Sequence, residues 1–99
     1  MRIIVVCGAG ASSTFVATRL QRAATAAGVP LDAVARSLTS IAEDVATADA
    51  ILLGAHAAES AGDVLALAAP RGIPVVPLPS DIARDRDGTR ALSLVQDTL

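Results

Sequence analysis

The 99-residue chain has no lysine, tryptophan or tyrosine, and only one phenylalanine, one cysteine and one histidine. Each shortage closes off a class of function. Without lysine there is no Walker A loop, because that loop needs the ammonium to reach the phosphates. With Phe15 as the sole aromatic residue, the chain has no platform on which bases could stack. The formal net charge is -2 and the arginines form no run, so neither nucleic acid nor an anionic membrane surface is the expected partner. One cysteine permits no intrachain disulfide and fits a reducing, cytoplasmic compartment. One histidine cannot build a metal site, and no metal or organic cofactor is expected. The apolar runs are short. Residues 2–6 are too few for a signal segment or a membrane span, and Cys7-Gly8 interrupts them, so direct membrane insertion is not expected. No internal repeat, linker or low-complexity tract divides the chain, and residues 1–99 read as a single domain.

What is present is organised around residues 2–16. Ile3, Ile4, Val5 and Val6 form a β-branched run that reads as a buried strand. Cys7 closes it. Gly8 and Gly10 permit a tight loop whose backbone can approach a ligand closely. Ser12, Ser13 and Thr14 supply hydroxyls and candidate N-caps for a helix expected over residues 14–27. A strand, a small-residue loop and a helix N-terminus form a ready anion site, because free N–H groups and the helix dipole both favour negative charge.

Along the rest of the chain, Val16, Leu20, Ala23, Ala24 and Ala27 make an apolar stripe, with Gly28 as the expected C′ residue. Residues 31–36 read as a second, edge strand. Ser40-Ile41-Ala42-Glu43 fits a capping box opening a short helix that ends near Ala48. Residues 49–54 are a third strand, and residues 59–69 a helix with Val64, Leu65 and Ala68 on one face. Residues 73–77 are a proline-marked edge strand. An irregular connection leads to a last helix near residues 89–99, with Leu92, Val95 and Leu99 inward. Strands alternating with helices imply an α/β fold with one four-stranded parallel sheet and right-handed crossovers. The expected order is the flavodoxin-like 2-1-3-4, with helices on both faces. Ligands in such sheets bind at the carboxyl ends of the strands beside the point where the order reverses, so Cys7 and His56 are expected at the same crevice.

Several chemistries compete for these residues. A strand-end cysteine is often only core; the loop that follows Cys7 favours a thiolate instead. Gly8 and Gly10 half-match a dinucleotide fingerprint, but the third glycine is missing and Arg36 stands where an acidic residue should close the second strand. A cysteine phosphatase loop needs an arginine to hold the dianion; the corresponding place holds Ser13. A loop of neutral donors can bind phosphate yet leave phosphocysteine resistant to water. His56 reads as a general base, a polar loop residue or a neighbour of the thiol. Asp81, Asp85 and Asp87 lack the spacing of a calcium loop and read as turn residues.

The stretch Cys7-Gly8-Ala9-Gly10-Ala11-Ser12-Ser13-Thr14 resembles the Cys-x-Ala-Gly-x-Ser-Thr-Ser pattern of the IIB component of the bacterial phosphoenolpyruvate-dependent sugar phosphotransferase system, lactose/cellobiose (chitobiose) type. Ala48-Asp49-Ala50-Ile51-Leu52-Leu53-Gly54 is similar as well, with Ala55-His56 where the family usually reads Pro-Gln. Asp87-Gly88 before the last helix is a third match, with Ala83-Arg84 where the family often places Tyr-Gly. The galactitol and ascorbate types share a similar loop. The resemblance implies a phosphocysteine carrier on a fold akin to low-molecular-weight phosphatases. Cys7 would be the phosphoryl acceptor, and Gly8, Ala9, Gly10, Ala11, Ser12, Ser13 and Thr14 the phosphate loop, with His56 beside them. The donor would be a phosphohistidine on enzyme IIA, and the acceptor a sugar held by the membrane enzyme IIC. Two other readings stand beside it: a regulatory module that senses phosphate, and a relative of the low-molecular-weight phosphatases.

Overall fold

The computed structural model describes residues 1–6, 10–36, 41–54, 61–79 and 86–98, with backbone alone at 10–13 and 61. Strand β1 is Arg2–Val6, helix α1 Gly10–Ala27, strand β2 Asp32–Arg36 and helix α2 Ile41–Asp44, which tightens into a 3₁₀ turn over Val45–Thr47. Strand β3 is Ala50–Leu53. Helix α3, Ala61–Ala68, runs into a second 3₁₀ turn over Ala69–Arg71, and β4 (Val75–Pro77) and α4 (Thr89–Thr98) follow. The four strands form one sheet in the order β2-β1-β3-β4, and every pairing is parallel. This is the expected α/β architecture. β2 and β4 are its two edges.

The alternation of side chains along a strand divides the interior in two. Ile3 and Val5 of β1 face Val16, Ala17, Leu20, Ala23 and Ala24 of α1 and Ala91, Leu92 and Val95 of α4. Ile4 and Val6 face the other way, towards Ile41 and Val45 after β2 and Val64 and Ala68 of α3. Residues 3–6 of β1 are buried on both sides, which is why that run shows no polar alternation. Helices therefore cover both faces, as the sequence pattern requires.

The helices differ from expectation in three places. Helix α1 starts at Gly10, four residues before Thr14, so Ser12 and Ser13 lie inside its first turn rather than ahead of it. The long helix behind them supplies the nucleus, and each residue added at the front adds one backbone bond. Ala27 is exposed, although it continues the stripe in sequence. Leu65 is 50% exposed because α3 presents Val64 and Ala68 to the sheet. Ser40 and Leu99 lie outside the described residues, so the capping box and the last inward position of α4 do as well.

Gly28 does close α1, with φ at 71°. Its N–H donates to the Thr25 carbonyl at 3.2 Å, and that of Val29 to the Ala24 carbonyl at 2.8 Å. These are the two bonds of a Schellman stop, which needs a left-handed residue at this position.

Candidate functional site

The crevice is defined by where the strands end. Val6 lies in register with Arg36 of β2 and Leu53 of β3. The Val6 carbonyl accepts from the Gly54 N–H at 2.7 Å, so β1 and β3 stop level with each other. Cys7 follows Val6 by one residue and His56 follows Gly54 by two. The structure thus brings together the two points from which their segments depart. Cys7, Gly8, Ala9 and His56 themselves lie outside the described residues.

Helix α1 begins at Gly10, four residues beyond Val6. The N–H groups of residues 10–13 have no carbonyl within the helix to bond, as in any α-helix. Its 18 residues align their peptide dipoles, and no acidic side chain stands in the first turn to offset the positive end. Within the helix itself, this end is therefore set up to favour an anion. Of the remaining loop residues expected from sequence, Gly10, Ala11, Ser12 and Ser13 form the first helical turn, and Thr14 is exposed one step further on.

Phe15 stands beside this end with 62% of its surface exposed. The Arg19 guanidinium lies 5.8 Å from its ring centre, a cation–π distance. In the sequence Phe15 stands out only as the sole aromatic residue. Its sequence neighbour Val16 takes the buried position on the helix stripe, which leaves Phe15 to turn outward.

The Asp87-Gly88 pair has a structural role that the sequence did not disclose. The Asp87 carboxylate accepts from the N–H of Thr89 at 3.3 Å and from its hydroxyl at 2.9 Å, fixing the start of α4. Gly88 has φ at 76°. A Cβ there would overlap the Arg19 carbonyl and lie 2.9 Å from the Leu20 nitrogen. Gly88 thus lets the backbone of α4 touch the middle of α1. A nearby Asp-Gly-Thr is the signal that could have suggested a capped helix start; the close approach to α1 has no local signal.

Arg36, at the end of β2, is already engaged by an acidic side chain. Its Nε lies 3.2 Å from Asp44 Oδ2, and Arg2 Nη2 lies 3.9 Å from the other carboxylate oxygen. Among the described residues, no group of three His, Cys, Asp or Glu side chains is arranged to hold a metal ion. No helix among them is long and apolar enough to cross a membrane.

A parallel α/β sheet whose first strand leads to a helix N-terminus beside the point where the strand order reverses defines a class of small ligand-handling domains. Within that class, residues 2–87 match the family of lactose/cellobiose-specific IIB subunits of the phosphotransferase system, and the chain belongs to that family. Its fold is similar to the lactose-specific IIB component domain of the phosphoenolpyruvate:carbohydrate phosphotransferase system from Streptococcus pneumoniae. That match has a TM-score of 0.88 at 18% identity and covers 98% of this chain and 95% of the other. It is also similar to the solution structure of a cellobiose-specific phosphotransferase IIB component from Borrelia burgdorferi, with a TM-score of 0.77 at 25% identity over 98% of this chain and 89% of that one. No curated protein sequence matches the chain. Family membership makes the protein a sugar-phosphotransfer component that acts with other components of that system.

Proposed function

We propose that the protein is a phosphocysteine carrier working in the cytoplasm as one domain over residues 1–99. The observation that carries this reading is the junction at residues 6–10. Cys7 directly follows the last residue of β1, and an 18-residue helix with no acidic residue in its own first turn starts three residues after it. In the first step the Cys7 thiolate attacks the phosphorus of a phosphohistidine on enzyme IIA. The S–P bond forms, the N–P bond breaks, and the imidazole nitrogen keeps the electron pair and takes up a proton. In the second step a sugar hydroxyl on enzyme IIC attacks the phosphocysteine. The O–P bond forms, the thiolate leaves, and the hydroxyl proton passes to solvent.

Gly8, Ala9, Gly10, Ala11, Ser12, Ser13 and Thr14 are assigned the three equatorial oxygens of the transferring group. Transfer of this kind is mainly positioning and electrostatics, which fixed N–H donors supply. His56 is assigned a neighbouring role beside the thiol. Neither step uses a metal or an organic cofactor.

Ser13 separates the carrier from a phosphatase. A guanidinium there would give a planar, bidentate and permanently charged clamp that a hydroxyl cannot reproduce. Without it, phosphocysteine survives until a sugar hydroxyl is presented. The wild-type protein should therefore accept a phosphoryl group from phosphorylated IIA while showing negligible turnover of an aryl phosphate. Ser13→Arg should gain hydrolysis and lose transfer. Brisk aryl phosphate turnover by the wild type, abolished by Cys7→Ser, would replace the carrier with a phosphatase.

A further inference from the structure

The outer edge of β2 carries a pattern that phosphoryl transfer does not use. The Asp32 N–H donates to the Met1 carbonyl at 2.7 Å. In a parallel ladder the N–H and carbonyl of one residue bond to the same neighbour, so the even-numbered residues of β2 bond to β1. Leu31, Ala33 and Ala35 therefore turn their backbone groups outward.

Side chains cover part of that edge. Gln21 Nε2 donates to the Leu31 carbonyl at 3.0 Å, and Gln21 Oε1 accepts from the Ala33 N–H at 2.9 Å. The Gln21 carboxamide thus occupies the place of one peptide unit of a missing strand. Arg36 Nη1 donates to the Ala35 carbonyl at 3.2 Å. Beside this edge an open groove of about 720 Å³ runs between α1 and β2, lined by Ala17, Thr18, Gln21, Ala33 and Arg36 among others.

β2 reads Asp-Ala-Val-Ala-Arg. Paired antiparallel with itself about Val34, it sets Asp32 of one copy opposite Arg36 of the second, and Ala33 opposite Ala35. Ala33 and Ala35 are the strand residues with outward backbone groups, so this register pairs them; Arg36, which in the single chain lies against Asp44 and the Ala35 carbonyl, would leave both to meet Asp32 of the second copy. The two charge pairs are related by one two-fold axis, as a self-complementary interface requires. A shift of two residues keeps the backbone bonds and loses both charge pairs. Unprotected edges of this kind template pairing, and proteins block them with polar side chains.

We propose that the outer edge of β2 is a self-recognition surface fitted to a second copy of this chain, and that Gln21 is the latch that holds it shut. The latch keeps the chain monomeric; withdrawing it frees Ala33 N–H and the Leu31 carbonyl for a partner strand. The test is the solution mass of the full chain by light scattering or sedimentation. The wild type should be monomeric at 9.9 kDa, and Gln21→Ala should double that mass. Adding Asp32→Arg to Gln21→Ala should restore the monomer by placing like charges opposite each other. Adding Asp63→Arg instead, the same charge change on exposed α3, should leave the dimer intact. A Gln21→Ala protein that stays monomeric at millimolar concentration overturns the proposal, and so does a dimer indifferent to Asp32→Arg. Should Gln21→Ala not fold, amide exchange on the wild type decides. The latch predicts that the Ala33 amide exchanges about tenfold or more slower than that of Ala35. Equal exchange at the two positions contradicts it.

Discussion

On one face of the sheet lie an 18-residue helix and a 10-residue one; on the other, α2 has four residues before it tightens, and α3 has eight. The long-helix face packs Ile3, Val5, Ala50 and Leu52 under a broad apolar layer, in which Leu20 and Val95 are wholly buried. Three alanines in the α1 stripe let that helix sit close to the sheet. Gly88 holds its middle against α4, and Gln21 ties it to β2.

The short-helix face has a smaller apolar cluster and adds polar ties. Asp44 reaches Arg36 at 3.2 Å and Arg2 at 3.9 Å, and Asp49 Oδ2 accepts from the Arg2 N–H at 2.6 Å. Asp44 Oδ2 is at ion-pair distance from Arg36 but lacks an aligned hydrogen bond. That tie is electrostatic, and a pair this close to solvent adds about 1 kcal/mol or less. The comparison teaches where rigidity is placed. The helix whose N-terminus follows Cys7 is held by the broader apolar layer, by Gly88 and by Gln21, whereas α2 is held by a smaller cluster and by ion pairs.

The largest expected break in this comparison is Gly88→Ala. It forces a Cβ into the Arg19 carbonyl and a left-handed φ onto alanine, and it should cost about 4 kcal/mol, read by chemical denaturation. Next, Leu20→Ala should cost about 3 kcal/mol, because a wholly buried side chain leaves a cavity between α1, α4 and the sheet. Ile41→Ala removes a similar volume from the other face. It should cost about 2 kcal/mol, since a single helical turn can close over the gap more readily. Equal losses at Leu20 and Ile41 would erase the distinction between the faces. The smallest effect is expected at Gly28→Ala. It shares the positive φ of Gly88 but meets no atom within 4 Å, so about 1 kcal/mol of backbone strain is the whole penalty.

Much of this was legible in the chain. The β-branched runs before Cys7 and before Gly54 announce buried parallel strands, and Gly28 announces the end of α1. The stripe Val16, Leu20, Ala23 and Ala24 gives the packed face of α1 directly. What was not legible depends on partners distant in sequence. Whether α1 opens at Gly10 or Thr14 is decided by cooperativity along the helix, not by the local capping chemistry of Ser12 and Ser13. Leu65 follows helical spacing yet turns outward, because only the docking of α3 fixes which stripe is used. The approach of Gly88 to Arg19 and the clasp of Gln21 on β2 join segments that no local pattern links. The candidate site divides in the same way. Its residue types are proposed from the sequence, and the level ends of β1 and β3 supply the setting for that proposal.

The central claim is that Cys7 receives the phosphoryl group, and intact-mass measurement after incubation with phosphorylated IIA tests it most directly. The wild type should gain the mass of one phosphoryl group, mapped to Cys7. Cys7→Ser should fold, being nearly isosteric, and gain none, because its hydroxyl stays protonated and is a far weaker nucleophile than a thiolate. Phosphorylation of Cys7→Ser at the wild-type rate would place the acceptor elsewhere and contradict the account.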